Sequence, residues 1–240
     1  MDSTGTISPT TTLTNFYSTD NIRSGVAAGA GNYYFTGSSG PGSGIMFSGS
    51  SGTNQIADIN SRQIQVRNGN LLYSTGSGTR GIYSFNGLPT STTNASSLLT
   101  GVTGQGTSPY DFTFSPDGNT LYVADDGIGV QRFNFSNGSW THAYNLTNGL
   151  TSGRAFGLHV DFGSSSNDVF WTSASDTGVN SIWKASDAGS AVAGTTLLAA
   201  GSNYAFRGLE ASAVPEPSSV ALLGFGTLAL LGLRRLNQKS

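Results

Sequence analysis

Apolar and aromatic residues fall along the chain in short clusters, separated by turn-forming residues, and the clusters come in pairs. The first members are Asn32-Tyr33-Tyr34-Phe35-Thr36, Asn70-Leu71-Leu72-Tyr73-Ser74, Asn119-Thr120-Leu121-Tyr122-Val123 and Asn167-Asp168-Val169-Phe170-Trp171. Each starts on a turn residue and runs into aromatic and β-branched side chains, the pattern of a strand entered from a turn. After a Gly-rich or polar turn comes the second member: Gly44-Ile45-Met46-Phe47, Gly81-Ile82-Tyr83-Ser84-Phe85, Gly129-Val130-Gln131-Arg132-Phe133 and Asn180-Ser181-Ile182-Trp183-Lys184. These pairs predict four β-hairpins, with Gly37 to Gly44 and Ser48 to Gly52 as loop.

The hairpins repeat. Aligned on Phe35, Tyr73, Tyr122 and Phe170 they recur at spacings of 38, 49 and 48 residues, the period of a four-stranded propeller blade. A third element supports that period: Arg62-Gln63-Ile64-Gln65-Val66, Tyr110-Asp111-Phe112-Thr113-Phe114 and Ala155-Phe156-Gly157-Leu158 precede hairpins, and Ala205-Phe206-Arg207-Gly208-Leu209 follows the last. The stretch Ser115-Pro116-Asp117-Gly118 places Pro at the second position of a tight reversal and Asp-Gly after it. With Leu121-Tyr122-Val123-Ala124 it resembles the loop and strand of bacterial β-propellers of the lactonase-like and surface-layer repeat type, a resemblance that speaks to fold more than to activity. The expected fold class is therefore all-β, with β-propeller-like repeats over residues 32–213, and Ala205 to Ala213 as the opening strand of a further blade or a closing strand. Soluble propellers commonly have about four to eight blades, and an unclosed set leaves an exposed edge. The repeats are accordingly read as incomplete at the N-terminus, with residues 1–31 a polar segment belonging to a preceding blade. A β-sandwich is the competing architecture, since turns roughly 8 to 12 residues apart suit it as well.

The periodicity stops at Val214. Pro215 and Pro217 hold Pro215-Glu216-Pro217 extended, so a helix starts after it, with Ser218 or Ser219 as N-cap. The uncharged run from Ser218 to Leu233 makes a helix of roughly 24 Å, slightly short for a hydrocarbon core of about 30 Å. A single transmembrane helix is expected over about residues 218–235. Arg234, Arg235 and Lys239 beyond it place the C-terminus in the cytoplasm and the β-domain outside. A buried core helix would show a polar face, and this run shows none except at its ends.

Pro215-Glu216-Pro217, the apolar run and Arg234-Arg235 close to the terminus together resemble the PEP-CTERM domain of exported bacterial proteins. That resemblance covers only residues 214–240. It implies handling by a membrane-embedded exosortase acting near the Pro-Glu-Pro motif, with release to the cell surface or extracellular matrix. It makes Pro215, Glu216 and Pro217 the sorting motif and Arg234 and Arg235 the membrane stop. The expected partners are the exosortase, the membrane and extracellular polysaccharide.

Composition narrows the rest. Charged residues make up 10% of the 240 positions, well below the roughly one quarter usual for globular domains, so the surface is built from hydroxyls and amides. Ahead of Pro215 eight Lys and Arg face twelve Asp and Glu; with no basic stripe to neutralise phosphates, nucleic acid is not an expected partner. The absence of cysteine excludes disulfides, thiolate metal sites and a Cys nucleophile. Met1 to Thr14 has neither a basic start nor an apolar core and is not a secretory signal peptide. Since the tail demands export, the native start is expected upstream, or the start is set too late.

Candidate chemistry is thin. His142 and His159 are the only histidines, and Asp161 alone lies near His159, so ordinary placement is expected for both. Asp125-Asp126-Gly127 has oxygen ligands suited to Ca²⁺ but lacks the alternating carboxylates of an EF-hand loop, and a β-turn is the better reading. Asp111, Asp161 and Asp176 are candidates for the mouth of a channel. Arg62, Arg154 and Arg207 sit at comparable strand openings, where hydrogen bonds between repeats are the favoured reading over a shared binding site. Asn94, Asn134, Asn137 and Asn145 head glycosylation sequons, which are uninformative in a chain so rich in Asn, Ser and Thr. No nucleophile elbow or phosphate loop is present. No catalytic, cofactor or metal residue is therefore assigned. The expected protein is a non-enzymatic surface or matrix protein, held in the membrane as a precursor and sorted through its tail; the alternative is an exported propeller hydrolase of lactonase-like type.

Overall fold

The computed structural model describes residues 16–210, apart from 30, 94, 103–107, 148–153, 164, 174–179, 202–203 and 207. Within them every regular element is a strand, and the strands form four antiparallel sheets of four, each a simple meander in chain order. The first sheet holds β1 (Ile22–Ala27), β2 (Tyr33–Gly37), β3 (Ile45–Gly49) and β4 (Gly52–Ala57). The second holds β5 (Ile64–Arg67), β6 (Asn70–Thr75), β7 (Gly81–Phe85) and β8 (Ser96–Leu98). The third holds β9 (Pro109–Phe114), β10 (Thr120–Asp125), β11 (Gly129–Ser136) and β12 (Ser139–Leu146). The fourth holds β13 (Leu158–Phe162), β14 (Asn167–Thr172), β15 (Ser181–Asp187) and β16 (Thr195–Ala199). Four sheets, rather than the two of a sandwich, account for the repeat. Residues Met1–Leu209 form one compact unit and Glu210–Ser240 another; of the second, only Glu210 is described.

Turn chemistry sets the registers. Asn68-Gly69 and Asn137-Gly138 all take positive φ, 49° and 75° in the first pair and 51° and 78° in the second. That is the primed two-residue turn whose twist matches the flanking strands, and it closes the β5–β6 and β11–β12 hairpins. Between β9 and β10 the Gly118 amide donates to the Ser115 carbonyl at 2.9 Å, and the Ser115 hydroxyl reaches the Asp117 carboxylate at 2.5 Å. This is the reversal that the Pro116-Asp117-Gly118 order predicts.

Alternation then divides β6 and β10, the second strands of the two middle sheets, between two cores. In β10, Leu121 and Val123 join Leu72, Ile82, Phe112 and Phe133 between the second and third sheets, while Tyr122 and Ala124 join Val169 and Trp171 between the third and fourth. In β6, Leu71 and Tyr73 face the first sheet and Leu72 the third. Successive side chains point to opposite faces of a strand, and both faces are covered here, so β6 and β10 are buried except at their first residue. A strand buried on both faces reads as a near-continuous apolar run.

The structure departs from the sequence expectations in four places. The polar 1–31 segment supplies β1, which pairs with β2 and belongs to the first hairpin's own sheet. Ser48, Gly49 and Gly52 are strand residues flanking a tight β3–β4 turn, held there by main-chain pairing of Ser48 with Thr53 and Gly49 with Gly52. Ala155 to Gly157 is a connection, and β13 begins at Leu158. Around residues 204–210, the described positions carry no strand. Among the described residues no helix is long and apolar enough to cross a membrane; the predicted helix at 218–235 lies outside them.

Candidate functional site

First strands meet at a cavity. The entries to all four, at Asn21 to Arg23, Arg62-Gln63, Tyr110-Asp111 and Phe156-Gly157, line a space of about 580 Å³ together with Gly208 and Leu209. The three later entries are each fixed by bonds to the preceding sheet. The Thr36 hydroxyl of β2 donates to the Arg62 carbonyl at 3.1 Å, and the Ser74 hydroxyl of β6 to the Tyr110 carbonyl at 2.5 Å. Amides of the incoming connections complete the pattern, Ser61 donating to the Gly37 carbonyl at 3.0 Å and Ala155 to that of Asp125 at 2.9 Å.

On this frame the side chains stack. The Arg62 guanidinium lies 3.8 Å from the centre of the Tyr110 ring, whose centre is 4.0 Å from that of Phe156. Such a cation over an aromatic face is held electrostatically and loses rotamer freedom. Arg62 Nε is buried with no hydrogen-bond partner, and Gly76 leaves it room: a Cβ there would stand 3.3 Å from Nε and 2.3 Å from Ser108 Oγ. Arg23 donates to the Asn60 side chain and, at 2.9 Å, to the Ser61 carbonyl. Burial, and after it the Arg62 charge, lowers the Arg23 pKa. Asp111 accepts from the Phe112 amide at 2.8 Å and the Leu158 amide at 3.0 Å.

A second polar cluster lies between the third and fourth sheets. Asp187, 2% exposed, accepts from the Tyr122 and Tyr144 hydroxyls, from Arg132 at 3.2 Å and from the Gly189 amide at 2.9 Å. Burial first, then the bonds to Asp187, raises both tyrosine pKa values, that of Tyr144 to about 12. Every oxygen of Asp187 is thus committed to holding two sheets together.

The other candidates are dispersed. His142 on β12 bonds Asn145 at 2.8 Å, and His159 on β13 pairs with Asp161 at 2.9 Å. Asp125 is buried and caps its own turn through the Gly127 amide at 2.8 Å, beside a further bond from the Ser108 amide at 3.1 Å. Asp126, in the turn after β10, pairs with Arg154, in the connection leading to β13, at 2.5 Å. Of Asp111, Asp161, Arg62 and Arg154, only Asp111 and Arg62 line the cavity. Sequence reasoning missed Arg23, although it opens β1 much as Arg62 precedes β5. Asp176, Arg207 and Asn94 lie outside the described residues, as do Pro215, Glu216, Pro217, Arg234 and Arg235.

Comparison with known proteins bears on that last group. Residues 213–235 match the family model described as the PEP-CTERM protein-sorting motif. The chain carries a PEP-CTERM sorting tail. The match spans Pro215-Glu216-Pro217 and ends on Arg235. No curated protein matches the chain. Nine solved chains do, among them one from a complex of KlAtg21 with the coiled-coil of AgAtg16, at 12% identity and a TM-score of 0.40. That alignment covers 76% of this chain and 58% of the other. A PEP-CTERM tail marks an exported precursor that is associated with the membrane and processed by an exosortase.

Proposed function

We propose that the four sheets are blades of a β-propeller and that the protein is a non-enzymatic component of the cell surface or extracellular matrix. The observation that carries this reading is the PEP-CTERM motif at residues 213–235, following an all-β domain. Of Asp111, Asp125, His142 and His159, the groups a hydrolase would gather, only Asp111 lines the cavity, and both its oxygens accept backbone amides. The apolar helix at 218–235 holds the precursor in the membrane, Arg234 and Arg235 stop its transfer, and the exosortase acts at the extended Pro215-Glu216-Pro217. The released domain meets extracellular polysaccharide.

Intact mass of the protein from membrane, surface and medium fractions of the native cell tests this. A surface species ending near Pro215 is expected. A full-length species permanently in the membrane would remove the exosortase from the account.

A further inference from the structure

We propose that the cavity at the entries of the first strands binds a monovalent carboxylate, gripped by Arg23 and Arg62. Three features on the cavity wall lead there. Among the described residues neither arginine forms an ion pair, although every other ion pair in the domain takes its carboxylate within 3.2 Å. Arg62 is held over the Tyr110 ring and has a buried Nε with no acceptor. A guanidinium presents its donors in a rigid fork that matches a carboxylate, and one already immobilised by stacking spends little conformational entropy on binding.

Charge selects the anion. Two guanidiniums against the single Asp111 carboxylate leave one positive charge on the described wall, which a carboxylate neutralises and a sulfate overshoots. Burial first, and then the charge of Arg62, lowers the Arg23 pKa, and an anion between the two arginines offsets the second of these. Asp111 accepts the Phe112 and Leu158 amides through its two carboxylate oxygens. At about 580 Å³ the space exceeds a bare carboxylate, so it accommodates the molecule that bears one, either a small organic acid or an acidic sugar. This binding is independent of how the tail is sorted.

The test is isothermal titration of the full-length chain in non-ionic micelles, at low ionic strength, with sodium acetate, sodium galacturonate and sodium sulfate. Saturable binding of a carboxylate is expected, weakened at least tenfold in Arg62→Gln and in Arg23→Gln, only partly kept in Arg62→Lys, and unchanged in Arg67→Gln, whose guanidinium stacks on Phe114 elsewhere. Tighter galacturonate than acetate assigns an acidic sugar; equal affinities assign a simple acid. Should a variant misfold, wild-type hydrogen exchange decides: galacturonate is expected to protect the segments around Arg62 and Tyr110. No carboxylate binding to the wild type, binding indifferent to both Gln substitutions, or sulfate bound in preference would each overturn the proposal.

Discussion

The Tyr122 hydroxyl on β10 donates to Asp187 at the end of β15 at 2.5 Å, across 65 residues of sequence. The bond ties the third sheet to the fourth, and Arg132 and Tyr144 converge on the same carboxylate from β11 and β12.

Removing that carboxylate strands a guanidinium and two hydroxyls. Asp187→Ala is expected to cost on the order of 3 kcal/mol or more, the usual result of deleting one partner of a buried ion pair. Tyr122→Phe deletes one donor and should cost about 1–2 kcal/mol. Urea unfolding checks both, as a lowered midpoint with the slope unchanged.

The same cluster fixes a response to alkali. Tyr144 has its pKa raised from 10.0 to about 12 in the folded protein. Below pH 10 the hydroxyl is neutral in both states and its contribution is complete. Between 10 and about 12 the unfolded chain loses the proton first, so stability falls as pH rises through that window. Thermal melts from pH 8 to 12 should show a shallower decline in Tyr144→Phe than in the wild type.

A steric prediction concerns Gly194, just before β16. A methyl added there would stand 2.3 Å from the Trp171 ring, which is fully buried, and 3.1 Å from the Lys184 carbonyl. Gly194→Ala should destabilise by about 1–3 kcal/mol, as overpacking does. Gly201→Ala, whose nearest neighbour is 3.8 Å away, should leave the melting temperature within error. Equal effects at the two sites would contradict the packing described.

For the PEP-CTERM tail, changing Glu216 to Ala or deleting Arg234-Arg235 should leave the β-domain folded, as judged by its circular dichroism, and leave the precursor unprocessed or wrongly inserted. Immunoblots of fractionated cells show the outcome. Normal processing and surface delivery in both variants would exclude the sorting role.

How much of this was visible beforehand follows from burial. The second and third strands of every sheet were legible because they carry the apolar load: β6, β10 and β14 each contribute to the cores between sheets. The fourth strands went unread for the opposite reason. β16 is exposed at all its residues and β8 is nowhere buried, so main-chain pairing alone defines them and composition does not. β1 escaped likewise, with four of its six residues exposed. The PEP-CTERM motif was legible, being contiguous. The Asp187 cluster was not: its members stand at 122, 132, 144 and 187, and only the packing of two sheets brings them together. Arg62 was singled out from its place at a strand opening, whereas its partner in the cavity, Arg23, lies in the polar segment of residues 1–31 that was read as belonging to a preceding blade.

The division of β10 between two cores also governs how such a chain can change over generations. Exchanging Leu121 for another aliphatic residue disturbs one neighbour; inserting a single residue after it would send Tyr122, Val123 and Ala124 each to the wrong side and spoil two interfaces at once. Length can therefore vary only at the polar turns or by the gain or loss of a whole sheet, so lineages of this domain should differ in loop size and repeat number while their second strands keep a constant count.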